Sequence, residues 1–139
     1  MNTLVDRKRL FKTLTYLIIL LFLINYVAVR LYWYVSIWWF DMPMHFLGGF
    51  WLGLALIWSL SYKNLSFNLS LKSVFKIILG ALLIGVLWEV FEVLVNNNFA
   101  QNPFNILDTI SDISFDLAGG VFSIFFIYKE KYINYKNTV

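Results

Sequence analysis

The stretch DTISDISFDLAGG, residues 108–120, places three carboxylates inside an otherwise apolar segment. Asp108, Asp112 and Asp116 follow one another at a spacing of four residues, so a helix would carry them on one face, within an arc of roughly 80°. No further charge follows before Tyr128. This combination predicts a membrane-spanning helix with a stripe of carboxylates, and the question for the rest of the chain is what that stripe faces.

The composition is typical of an integral membrane protein. Of the 139 residues, 60% are hydrophobic and 14% are charged, whereas a soluble domain carries about 25% charged residues. The chain has no cysteine, which excludes disulfides, thiolate metal sites and cysteine nucleophiles. The net charge of +3 comes without a basic groove-filling pattern, so no nucleic acid is expected as a partner. The partner that the composition predicts is the lipid bilayer.

Four apolar segments are long enough to cross a membrane, which takes about 20 residues in a helix. They span residues 13–29, 42–62, 77–95 and 109–128. A basic start before the first segment is also a feature of cleavable signal peptides, but the length of the apolar run favours a retained helix. We therefore predict an all-α, polytopic membrane protein in which residues 1–139 form one domain, a bundle of four transmembrane helices.

The positive charges predict how the bundle is oriented. Ten of the eleven Lys and Arg residues lie before the first span, between the second and third spans, or after the fourth span. Only Arg30 lies on the other side, in the aromatic segment 30–40 (RLYWYVSIWWF). By the positive-inside rule both termini are cytoplasmic. The aromatic segment is then an interfacial belt at the outer surface, with the lining of a lipid-binding groove as the alternative interpretation.

This topology brings the acidic residues together at the extracytoplasmic ends of spans two, three and four. Six of the chain's eight acidic residues and its only histidine fall there, within roughly 12 Å of the outer surface. These residues are Asp41, His45, Glu89, Glu92, Asp108, Asp112 and Asp116. Helix capping is a sufficient explanation for Asp41 and Asp108, which precede or open apolar helices. It does not explain the other acids, each of which costs about 2.5–3.5 kcal/mol at mid-bilayer and has no Lys or Arg nearby as a partner.

Three arrangements would relieve the repulsion between these carboxylates. The first is a divalent cation (Zn²⁺, Mn²⁺ or Mg²⁺), for which the candidate ligands, not all used at once, are Asp41, His45, Glu89, Glu92, Asp108 and Asp112. The second is a chain of shared protons, as in transport relays. The third is a polar cleft that receives the headgroup of an envelope lipid.

These arrangements leave three classes of function open, and the sequence does not decide whether the chain is an enzyme. An enzyme would use metal-assisted hydrolysis or group transfer on a lipid-linked substrate, with Glu89, Glu92 and Asp112 as candidate catalytic residues. A small proton- or ion-coupled transporter would require a homo-oligomer, because four short helices enclose little volume. An accessory or scaffold protein would use its acids structurally and its small residues for helix packing. The glycines predicted to pack helices are Gly49, Gly53, Gly85, Gly119 and Gly120.

The polar residues also follow a familiar pattern. It comprises D-x-x-x-H-F-x-x-G from Asp41, E-x-x-E from Glu89, and D-T-x-x-D from Asp108 followed by the glycine pair at residues 119–120. Over roughly residues 30–128 the chain resembles the YjdF-like (DUF2238-type) family of small inner-membrane proteins, and more distantly VanZ-like membrane proteins. The resemblance implies a multi-pass protein of a bacterial cytoplasmic (inner) membrane with a polar site, and it implies no particular reaction.

Overall fold

The computed structural model describes residues 6–63, 69–95 and 105–136. Its helices are α1 (Arg7–Arg30), α2 (Trp33–Ser36), α3 (Asp41–Lys63), α4 (Leu71–Val95) and α5 (Ile106–Lys136). Within these ranges four helices are long and apolar enough to cross a membrane, namely Arg7–Arg30, Asp41–Tyr62, Leu71–Val95 and Ile106–Glu130. The predicted all-α fold with four potential membrane spans is therefore confirmed.

Two of the helices begin well before their apolar segments. The Asp6 carboxylate accepts hydrogen bonds from the backbone N–H groups of Lys8 and Arg9, so α1 begins at Arg7. The Ser70 hydroxyl accepts a hydrogen bond from the Ser73 N–H at 3.3 Å, and α4 begins at Leu71. Hydropathy marks the hydrocarbon layer, whereas capping side chains set where a helix begins. The turn-rich connection predicted at residues 96–107 lies mostly outside the described residues.

Helix α3 is the central element of the bundle, because α1, α4 and α5 all pack on it. A cluster of buried apolar side chains fills the half of the bundle that contains the end of α3 and the start of α4. It consists of Leu10, Leu14, Leu54, Ile57, Leu69, Ile77, Ile124 and Ile127. The carboxylates of the sequence pattern therefore lie at the opposite end of the bundle from this apolar core.

Polar contacts fasten α1 and α5 at the same end as the apolar core. The Trp51 indole N–H donates to the Leu14 carbonyl at 3.0 Å, which ties α3 to α1. The Tyr128 hydroxyl donates to the Leu69 carbonyl at 3.1 Å, just before α4 begins. These bonds satisfy the indole N–H and the phenol O–H, which usually find a partner when they are buried.

Helices α3 and α5 cross with their backbones in contact. A Cβ atom added to Gly119 would collide with the Phe46 carbonyl, and one added to Gly49 would collide with the backbone of Asp116. One turn further along, a Cβ on Gly53 would collide with the Ser123 side chain. Small residues at such positions let membrane helices approach closely. The crossing therefore depends on glycine at these positions in both helices.

The third helix of the site, α4, approaches through small residues as well. A Cβ on Gly85 would lie 2.8 Å from the Asp116 Oδ2 atom. A Cβ on Gly120 would lie 3.0 Å from the Ala81 Cβ atom. The glycines thus bring three helices together around Asp116.

We predict that Gly119→Ala and Gly49→Ala each destabilise the protein by about 1–3 kcal/mol or more, because the new methyl group meets backbone that cannot rotate away. Gly48→Ala is the matched control, since a Cβ at Gly48 meets nothing within 4 Å. That variant is expected to be neutral or to gain up to about 1 kcal/mol of helix propensity. Thermal unfolding in detergent measures all three, and equal shifts for Gly48→Ala and Gly119→Ala would contradict the proposed crossing.

Candidate functional site

The site is built around His45, the only histidine of the chain. Its side chain is 7% exposed and lies one helical turn after Asp41. The Nε2 atom lies 3.7 Å from an Asp41 oxygen and 3.9 Å from an Asp112 oxygen. The Nδ1 atom lies 3.4 Å from Asp116 Oδ2. Both ring nitrogens therefore face carboxylates, and these come from α3 and α5.

Helix α4 adds two more carboxylates from its last turns. Glu89 and Glu92 are three residues apart, so both side chains project on the same side of α4. One ligand atom from each of these residues and one from His45 lie within 4.8 Å of one another. The same holds for Asp41, His45 and Asp112. His45 belongs to both groups, which makes its ring the point where three helices meet.

The Glu89 carboxylate has one buried oxygen without a partner in the described parts of the chain. Its side chain is 6% exposed, and its Oε1 atom has no hydrogen-bond partner among the described residues. The Thr109 hydroxyl is close enough to hydrogen-bond the Glu89 side chain, which leaves the second oxygen to be satisfied. A buried carboxylate oxygen without a partner costs about 1–3 kcal/mol or more. A bound cation would supply that missing partner.

The Asp116 carboxylate lies next to the His45 ring, which the sequence did not indicate. Asp116 is buried, and its carboxylate lies nearer to the imidazole ring than those of Asp41 and Asp112. The spacing of four residues from Asp112 was the signal that placed it on the same face. The sequence could not show that it reaches Nδ1, because this depends on how closely α3 and α4 approach α5 at Gly49 and Gly85.

Asp108 lies apart from the two ligand groups. It is exposed and sits in the first turn of α5, which begins at Ile106. The Asn105 side chain accepts a hydrogen bond from the Leu107 N–H at 3.2 Å, so Asn105 rather than Asp108 caps this helix. Asp108 still places a negative charge where it complements the helix dipole.

One tyrosine of the aromatic segment before α3 is held by contacts with α1 and with Phe40. The Tyr34 hydroxyl donates to the Asn25 Oδ1 atom at 2.7 Å, and its ring packs edge-on against Phe40. Burial raises the pKa of Tyr34 to about 12, with the negative charges of Asp41 and Glu92 adding to the effect. The single O–H of Tyr34 is thus used by Asn25 and not by the carboxylates of the site.

Other side chains of the same segment point away from the bundle. Trp38 is 81% exposed and Tyr32 is 74% exposed. Such rings prefer the interface between lipid and water. The segment thus combines exposed aromatic rings with one tyrosine that is hydrogen-bonded to α1.

The arrangement suits a cation with oxygen and nitrogen ligands. Metal-binding histidines commonly donate their second N–H to a carboxylate, which fixes the ring orientation. Here Asp116 is positioned to accept from Nδ1, so Nε2 is left facing Asp41 and Asp112. Within the described parts of the chain, the ion pairs of these aspartates all involve His45 rather than Lys or Arg.

The chain matches a family described as "Predicted membrane protein (DUF2238)" over residues 3–131. The match includes every residue of the candidate site. No curated protein and no solved structure matches the chain. The more distant resemblance to VanZ-like proteins stays a prediction.

The single histidine allows a direct test of the role of Asp116. We expect histidine-selective ¹⁵N NMR in detergent to show the proton on Nδ1, and Asp116→Ala to shift that signal because the acceptor is lost. Asp108→Ala is the control, since it removes an exposed acid from the same helix. A spectrum that is unchanged by Asp116→Ala would exclude the proposed hydrogen bond.

Proposed function

Because the chain belongs to the DUF2238 family of predicted membrane proteins, a description that names no reaction, we propose its function from the geometry of the site. The protein binds a divalent cation between the ends of α3, α4 and α5. The observation that carries this proposal is the position of His45, which belongs to two groups of potential ligands supplied by these three helices. The Glu89 oxygen in the same cluster, which has no partner among residues 6–63, 69–95 and 105–136, supports it independently.

The chemistry of the donor set narrows the choice of ion. One imidazole nitrogen with several carboxylates suits Zn²⁺ or Mn²⁺, while Mg²⁺ prefers oxygen ligands and retains several waters. Asp41, His45 and Asp112 form one ligand group, and Glu89 with Glu92 would complete or replace it from α4. The opposing charge of the cation offsets the mutual repulsion of carboxylates in a weakly polar medium.

The cation gives the site a chemical use that bare carboxylates lack. Carboxylates alone repel a phosphate group, whereas a bound cation attracts it and can also lower the pKa of a bound water. We therefore infer that the substrate is the polar head of an envelope lipid or a lipid-linked compound, which reaches the site from the bilayer. In hydrolysis or group transfer, whichever of Glu89, Glu92 and Asp112 does not hold the cation would accept a proton from an attacking water.

The alternative functions have less support from the packing. A transporter needs a polar path through the bundle, but the half opposite the acids is filled by an apolar cluster that includes Leu54, Ile57 and Ile124. Transport would then require an assembly of several chains. A scaffold would offer its glycine faces to partner helices, but Gly49 and Gly119 already contact each other's helices within one chain.

We also propose that the site opens to the outer leaflet of a bacterial cytoplasmic membrane. The ends of the helices that carry the carboxylates are joined to the rest of the chain by segments with a single positive residue, Arg30, and the opposite ends carry the other ten. This is the asymmetry that orients membrane proteins with both termini in the cytoplasm.

We expect Zn²⁺ or Mn²⁺ to bind the metal-stripped protein in detergent with a stoichiometry near one. Saturation at a hundred times the dissociation constant would stabilise the fold by about 2.7 kcal/mol. His45→Gln and Asp112→Asn remove ligands and should abolish this stabilisation. Titration calorimetry and thermal unfolding, before and after removal of the metal with a chelator, measure both effects.

Asp108→Asn is the matched control for Asp112→Asn, because both acids lie on α5 but only Asp112 belongs to a ligand group. The control should bind metal like the wild type. The proposal fails if no ion binds stoichiometrically and none of Zn²⁺, Mn²⁺ and Mg²⁺ raises the unfolding temperature. It also fails if the control loses binding as completely as Asp112→Asn.

The orientation can be tested separately because the chain has no native cysteine. We expect Val35→Cys, at a position 85% exposed beside the site, to react with a membrane-impermeant maleimide in intact cells. Ser70→Cys, exposed at the other end of the bundle, should react only after lysis. The reverse pattern would place the site at the cytoplasmic leaflet.

A further inference from the structure

A second feature lies at the opposite end of the bundle from the carboxylates. Helices α1 and α5 both pack on α3, and a groove of about 390 Å³ remains between them. Its lining residues are Arg9, Thr13, Phe122, Phe125, Phe126, Lys129 and Glu130. None of these residues takes part in the His45 site, so the groove needs an explanation of its own.

The groove changes in character along its length. On α5 the aromatic residues come first and Lys129 follows one turn after Phe125, close to the end of the predicted membrane span. On α1 the order is reversed, since Arg9 lies near the start of the helix and Thr13 one turn deeper. The groove therefore has a charged mouth at the membrane surface and an apolar wall that extends toward the bilayer centre.

The apolar wall does not require a ligand with polar groups. The rings of Phe122 and Phe125 are 48% and 65% exposed. The Thr13 hydroxyl donates to the Arg9 carbonyl at 3.1 Å and so is already satisfied. An acyl chain can lie along such a wall without leaving a buried polar group unpaired.

The mouth carries a net positive charge. The Arg9 Nε atom lies 3.0 Å from a Glu130 oxygen, and this pair holds the ends of α1 and α5 together. Arginine has five N–H donors, so this contact uses only part of the guanidinium group. Lys129 is exposed and forms no ion pair with any described residue. Two positive groups against one negative group complement an anionic headgroup.

We propose that this groove binds one anionic phospholipid, with its phosphate at Lys129 and Arg9 and an acyl chain along the phenylalanines. Charge complementarity favours this occupant, because basic pockets between membrane helices bind anionic lipid heads. The order of the groups also favours it, since the charged part of the groove is followed by the apolar part, as the headgroup of a lipid is followed by its acyl chains. The proposal does not rest on the metal site, which lies at the other end of the bundle.

The test compares lipids that differ only in headgroup. The full-length protein in neutral detergent is titrated with phosphatidylglycerol or with phosphatidylcholine of the same acyl chains, and bound lipid is counted by native mass spectrometry. We expect one phosphatidylglycerol to bind at least severalfold more tightly than phosphatidylcholine. Inorganic phosphate should neither bind nor compete at the same concentrations, because it lacks the acyl chain.

Two variants address the head and the tail of the lipid separately. Lys129→Gln should weaken phosphatidylglycerol binding about fivefold, the effect of one lysine near a membrane surface. Phe125→Trp leaves every charge in place and should also weaken binding, because the larger ring fills the apolar part of the groove. Lys72→Gln is the charge-matched control, since Lys72 is exposed on α4 and does not line the groove.

The possible outcomes separate the proposal from its rivals. Equal binding of the two lipids would overturn it in favour of unselective contact with acyl chains. Equal losses in Lys129→Gln and Lys72→Gln would also overturn it, because they would indicate general attraction to a basic surface. If Lys129→Gln does not fold, Phe125→Trp and the comparison of the two lipids on the wild type still decide the matter.

Discussion

The close crossing of α3 and α5 is the contact on which the rest of the site depends. With glycine at residues 49 and 119, the two backbones touch, and this brings the carboxylates of α5 up to the imidazole of His45. A larger residue at either position would separate the helices by about the width of a methyl group. The distances of 3.4–3.9 Å around the ring would then no longer hold. The geometry of the cluster thus depends on the packing of small residues between the two helices.

The cluster gathers carboxyl groups within helices that are long and apolar enough to cross a membrane, where charge is screened less well than in water. Charged groups inside a membrane cost free energy. Those that are found there therefore mostly serve a function. Here the cost is not offset by Lys or Arg, and one buried oxygen of Glu89 is left without a partner within the described residues. A protein that needed these acids only for helix packing would be more stable with apolar side chains in their place. The uncompensated acids therefore favour a bound cation over a purely structural role.

The sequence predicted the helices and the grouping of the acids at one end of the bundle, because both follow from periodicity and from the distribution of positive charge. It did not predict which carboxylate lies nearest to His45. Spacing defines a face of one helix, whereas the partner of that face depends on the rotation of its neighbours, which here is set by glycine contacts. The sequence also did not predict how early α1 and α4 begin. Capping by the Asp6 and Ser70 side chains is a local hydrogen-bonding effect that hydropathy does not record.

The carboxylate stripe of α5 also has a consequence for biogenesis. A segment that carries Asp112 and Asp116 partitions poorly from the translocon into lipid when no other helix accompanies it. Helix α3 is synthesised earlier and presents both the glycine surface and His45 that receive the stripe. We therefore expect stable insertion of α5 to depend on α3 being already in place. If the close crossing were lost, quality-control proteases would then remove the unassembled chain. The first observable effect in the cell would be a lower amount of protein, and not a defect in the site.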